Sequence, residues 1–142
     1  MTMKKLGVAM VAMMMTSTAI GANWVNLGTS NQDGGLTYSL DIDSVRKLNT
    51  YSKQISYFVK FDYSKAQKTA DGKYYNYEKV HLKSDCENNR TSLMATIAYT
   101  KNGSFVASEN RSYDDWKTVF PDTVAESELN AACYVAGYRD TP

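Results

Sequence analysis

Apolar and polar side chains alternate with a period of two through most of the chain after residue 35. In "LTYSLDID", Leu36, Tyr38, Leu40 and Ile42 fall on one side, and Thr37, Ser39, Asp41 and Asp43 on the other. In "ISYFVKFDY", Ile55, Tyr57, Val59, Phe61 and Tyr63 share a side. This alternation marks antiparallel strands with one face on a core and one in solvent. "YYNYEKVHLKSDC" continues the pattern: Val80, Leu82 and Cys86 point inward, Asp85 points to solvent, and "ENNR" is the turn that follows. "TSLMATIAYT" sets Leu93, Ala95, Ile97 and Tyr99 on one face. Asn102-Gly103 then marks a hairpin, because Asn-Gly tolerates positive φ, and "SFVASEN" returns.

After Trp116 the period lengthens to that of a helix. In "PDTVAESELNAACYVAG", Thr123 is the expected N-cap, Glu126 completes a capping box, and Gly137 ends the helix. Ala125, Leu129, Ala132, Cys133 and Ala136 form the buried stripe, and the alanines allow close approach to a sheet. The expected fold class is therefore α+β: an antiparallel sheet of about five to six strands packed against one C-terminal helix.

The N-terminus follows different rules. Lys4 and Lys5 precede an apolar run from Leu6 to Met15, which gives way to small residues ending at Ala22. This is the layout of a secretory signal peptide over residues 1–22, cleaved after Ala22, with Ala19 or Gly21 as alternatives. The run is too short to span a bilayer, and no cysteine lies near the junction to carry a lipid anchor. Residues 23–142 then form a single exported domain without a transmembrane segment, in the periplasm or at the cell surface and outer membrane. Six of the seven methionines lie within the signal segment. The chain's 16 basic and 15 acidic side chains nearly cancel, which argues against nucleic-acid partners and anionic membranes.

Export changes the reading of the two cysteines, because an oxidising compartment lets disulfides persist. Cys86 and Cys133 have only each other, so a disulfide would tie a strand end to the helix and close a loop of roughly 48 residues, stabilising by about 4 kcal/mol in the chain-entropy model. A redox or metal role has little behind it: there is no CxxC and only one histidine.

Enzymatic chemistry requires a nucleophile with a base, carboxylates paired in a cleft, or a metal cage. His81 lies on a strand face with Tyr75, Tyr77, Lys79 and Lys83, an amphipathic solvent face rather than a general-base setting. Asp114 and Asp115 read as solvated turn residues, Trp24 and Trp116 as core or edge cover, and the sequons at Asn89 and Asn110 would matter only in a eukaryotic secretory pathway. The chain is read as a non-enzyme without cofactor or metal. The informative feature is the stripe Tyr75, Tyr77, Lys79, His81 and Lys83, preceded by a basic loop with Lys65, Lys68 and Lys73. Tyrosine gives wide contact at low entropic cost, which suits protein recognition. The same row also suits a solvated strand face, where aromatic residues raise strand stability.

Landmarks in order along the chain resemble the surface-adhesin protein E family of Gram-negative bacteria. They are "NWVNLG" with Trp24, "YSLDIDSV" with Tyr38, "FDY" ending at Tyr63, "DC" at Asp85 and Cys86, "AYTKNG" with Tyr99, "WKTVFPDT" with Trp116, and Cys133. The resemblance implies a sheet-plus-helix domain with a strand-to-helix disulfide. It also implies a dimeric surface protein binding host extracellular-matrix or serum proteins such as vitronectin, laminin and plasminogen. The alternative is a periplasmic binding or envelope-maintenance protein with no host ligand. An enzyme is the third and most distant reading.

Overall fold

The computed structural model describes residues 21–142. The expected signal peptide, apart from Gly21 and Ala22, lies outside the described residues. Eight strands and one α-helix follow in order: β1 (Trp24–Ser30), β2 (Leu36–Asp41), β3 (Arg46–Asn49), β4 (Gln54–Lys68), β5 (Tyr74–Asp85), β6 (Arg90–Tyr99), β7 (Phe105–Asn110), β8 (Lys117–Thr118) and α1 (Val124–Val135). The sheet runs β1-β2-β4-β5-β6-β7, with β3 added to β4 and β8 to β6. Every pairing is antiparallel. Among the described residues no helix is long and apolar enough to cross a membrane.

Side-chain alternation places the core. Leu40, Val59 and Val80 stand opposite one another on β2, β4 and β5, and all are buried. Tyr57 pairs with Leu82, and its hydroxyl shares a 2.7 Å hydrogen bond with Ser84, so the buried phenol is not orphaned. Helix α1 packs on this inner face with Leu129, Ala132 and Cys133, and its C-cap Ala136 is buried beside them. Thr123 caps the helix by accepting from the Glu126 N–H at 3.2 Å. Gly137, at φ 81°, ends it, with its N–H bonded to the Tyr134 carbonyl.

Cys86 and Cys133 form a disulfide, with Cα atoms 5.8 Å apart across a sequence separation of 47. A second tie lies beside it. The Arg139 guanidinium donates to the Cys86 carbonyl at 3.1 Å and also bonds Asn130 and Asn89, fastening the segment after α1 to the β5–β6 turn.

Three expectations need correction. Asp85 does not face solvent: it is 1% exposed. Its carboxylate accepts from the Glu87 and Asn88 N–H groups, the Asn88 amide and Arg90, so the turn folds over it. Leu93 does not share a face with Ala95, Ile97 and Tyr99, because a bulge at Met94 pairs Leu82 with Leu93 but His81 with Ala95. Leu93 therefore packs on the core, and the other three turn outward. The segment 65–73 is not an open loop. Most of it lengthens the β4–β5 hairpin, closed by Thr69 N–H to the Lys73 carbonyl at 2.8 Å and Gly72 N–H to the Thr69 carbonyl at 3.0 Å.

Candidate protein-binding face

Helix α1 packs on the inner face against β1, β2 and β4, and among the described residues no helix covers the outer face, where the segment 114–116 lies only over the corner at Lys83 and Ser92. Its central rows follow from register. Lys60 pairs with Lys79, Phe58 with His81 and Ser56 with Lys83 across β4–β5. Across β5–β6, Tyr77 pairs with Tyr99 and Lys79 with Ile97.

Aromatic rings and cations interleave over this surface. Tyr77 stacks on Tyr99 with centroids 5.0 Å apart, and the Lys79 ammonium sits 5.3 Å from the Tyr99 ring. Phe58 stacks on His81 at 4.2 Å. Lys60 lies 5.3 Å from Trp24 and pairs with Asp62 at 3.5 Å. Lys83 lies 5.5 Å from Trp116, pairs with Asp114 at 3.0 Å, and shares that indole with Arg90 at 4.6 Å. A cation over an aromatic face contributes about 0.5–1 kcal/mol at exposed sites, so the lattice fixes rotamers more than it stabilises the fold. Flat rings held in place lose little entropy when a partner covers them. Partial burial disfavours the imidazolium and holds His81 below the ordinary histidine value.

Of the stripe read from sequence, Tyr77, Lys79, His81 and Lys83 are together on this face, all half-buried by their neighbours. Tyr75 is separated from them. Three extra residues in β4 between the Asp62–Tyr77 and Gln67–Tyr75 pairs break the register, and Tyr75 meets Tyr63 edge-on at 5.9 Å beside Glu78. Lys65, Lys68 and Lys73 are exposed on the hairpin extension, away from the central rows. The Lys65 stem lies over Gly34, Lys68 sits 5.6 Å from the Tyr74 ring, and Lys73 pairs loosely with Asp71 at 3.8 Å. Residues missed by sequence reasoning are Phe58, 41% exposed at the centre of the face, and Trp24 and Trp116 at two of its margins. The even parity of Phe58 within "ISYFVKFDY" was the available signal. Among the described residues, no three His, Cys, Asp or Glu side chains cluster as a metal site would require.

The family model described as surface-adhesin protein E matches residues 24–134. No curated protein matches the sequence. Among solved structures, protein E from non-typeable Haemophilus influenzae is similar with a TM-score of 0.56 at 15% identity, covering 85% of this chain and 83% of that one. Another Haemophilus influenzae protein E structure gives 0.50 at 16% identity, covering 71% and 78%. At such identities the likeness carries the fold and not the contact residues.

Proposed function

The chain belongs to the surface-adhesin protein E family, and on that premise we propose that it is an exported adhesin whose partner surface is the open outer face of its sheet. Tyr77, Lys79, His81 and Lys83 would form the centre of the contact, with Phe58 and Tyr99 beside them. The observation that carries the reading is the asymmetry of the sheet: one face is packed by α1 over β1, β2 and β4, and the other presents ordered rings flanked by lysines. Such a surface suits another protein, since aromatic anchors supply contact area and lysines steer an acidic partner. The proposed partner class is host extracellular-matrix or serum proteins, with a second copy of the chain competing for the same face. Lys65, Lys68 and Lys73 extend the positive rim along the hairpin.

The test combines location with binding. On intact cells, protease should remove the protein without opening the outer membrane, and purified protein should bind immobilised laminin or vitronectin with an affinity that falls as salt rises. Protection of the protein until the outer membrane is breached, together with no binding, would favour the periplasmic envelope role instead.

A further inference from the structure

Glu128 stands apart from everything described so far. It lies on the inward stripe of α1, is 3% exposed, and its Oε1 has no hydrogen-bond partner. A buried polar atom left unmet costs about 1–3 kcal/mol, and more if the group is charged. Glu128 lines an open hollow of about 350 Å³ between the first turn of α1 and the β2–β4 surface, with its Oε1 buried behind the wall. Leu36 and Phe61 supply apolar wall, and the Tyr63 ring is held in place because its hydroxyl donates to Glu78 at 2.6 Å. Asp33 stands at the margin, and among the described residues no lysine, arginine or histidine lines the space.

These features restrict the ligand. With Asp33 at its margin and no lining cation, the space offers an anion nothing to pair with. The lone buried acceptor asks for a donor, which a purely apolar guest lacks. A divalent metal would need more oxygen ligands than these two acids bring together. A primary ammonium on a short alkyl body meets each requirement: N–H donors for the unmet Glu128 oxygen, opposite charge for Asp33, methylenes for Leu36, and an aromatic face at Phe61 or Tyr63 for the cation.

We propose that the hollow between α1 and strands β2 and β4 is a binding site for a primary alkylammonium group, with Glu128 as its buried acceptor. The group could arrive as a free amine or as the lysine side chain of a peptide; both share this chemistry. The site is on the opposite side of the sheet from the adhesin face and does not depend on that reading.

The experiment titrates the folded protein with n-butylammonium, 1-butanol, butyrate and N-acetyl-lysine-N-methylamide, following the backbone amide resonances of Leu36, Val124 and Ala125. Butylammonium should shift these amides saturably, with a dissociation constant on the order of millimolar, as suits five heavy atoms, and at least tenfold below that of butanol. Butyrate should not bind. Equal binding of the lysine amide assigns the site to peptide side chains, and its failure assigns the site to free amines. At about pH 9, where Glu128 is ionised and the alkylammonium still charged, Glu128→Gln should weaken butylammonium at least tenfold; Asp33→Asn, which touches only the margin, gives a second variant with a smaller loss. Equal affinity for butanol and butylammonium, an unaffected Glu128→Gln variant, or no saturable shift at about 50 mM would overturn the proposal, water then being the partner of Glu128.

Discussion

Phe58 and His81, directly opposite on β4 and β5, stack with ring planes within 6° of parallel on the outer face of the sheet. The stack partly desolvates the imidazole, which lowers its affinity for a proton. Because this is the only histidine in the chain, its titration can be followed alone. Its NMR midpoint should fall below the ordinary value of 6.5. The unfolded chain then binds the proton more tightly, so the stability due to the neutral ring is complete above pH 6.5 and is lost as pH falls through the folded midpoint. His81→Phe should remove that dependence, and His81→Ala should cost about 1 kcal/mol in urea unfolding.

Glu128 gives the opposite slope. Burial pushes its carboxyl from an ordinary 4.5 up to about 8. The folded state holds this proton more tightly than the unfolded chain, so its contribution is complete below pH 4.5 and is lost progressively as pH rises to about 8. Glu128→Gln should flatten that decline and be the more stable protein at pH 8, by an amount on the order of a few kcal/mol. Urea unfolding of both proteins at pH 5 and pH 8 measures it.

Reduction should be costly. Opening the Cys86–Cys133 bond releases a loop with a sequence separation of 47 and should lower stability by about 4 kcal/mol. Thermal unfolding with and without reductant, alongside a Cys86→Ala, Cys133→Ala double variant, checks this. Unchanged melting would mean that the Arg139 contacts alone hold the helix.

Asp85 is predicted to behave as a structural acid. Burial alone would raise its pKa, but hydrogen bonds from Asn88, Arg90 and the Glu87 N–H outweigh it and hold the carboxyl below its ordinary value. The stability it contributes is present above pH 3.8 and is lost as pH falls through the depressed value. Asp85→Ala should cost about 1–3 kcal/mol, since it strands several donors of the β5–β6 turn.

For the outer face, a Tyr77→Ser, Tyr99→Ser double variant should lose about 1 kcal/mol of stability from the broken stack. Binding to an immobilised host protein should fall far more, by tenfold or beyond, as for aromatic anchors at an interface centre. Tyr75→Ser should leave binding nearly unchanged, because Tyr75 lies against Tyr63 rather than on the contact rows.

The positions of β2, β4, β5, β6 and β7, the helix cap at Thr123 and the cysteine pairing were legible because each rests on local periodicity or on elimination, whereas β1, β3 and β8 were not read as strands. Two of the errors share a cause: period-two counting carries a face assignment forward until the register slips. Met94 reverses it in β6, and the three extra residues before Gln67 reverse it for Tyr75. Asp85 was misplaced for another reason, since a carboxylate capping its own turn is drawn inward by donors that alternation does not count. Glu128 had a signal that went unused. It is three residues after Ala125 and four before Ala132, on the stripe already assigned to the core. Tertiary contacts between the hairpin extension and Gly34, by contrast, have no local trace in the sequence.

The disulfide also determines how the domain answers a pull. A partner gripping the outer side of β5 loads that strand along its length toward Asp85, and at its end the force meets a sulfur bridge into the last turn of α1. Tension therefore passes from sheet to helix through covalent bonds, bypassing the weak packing of small alanines between them. A tethered molecule under flow would yield first in the β4–β5 hairpin tip, whose turn is held by a few exposed hydrogen bonds, while the junction of helix and sheet stays closed.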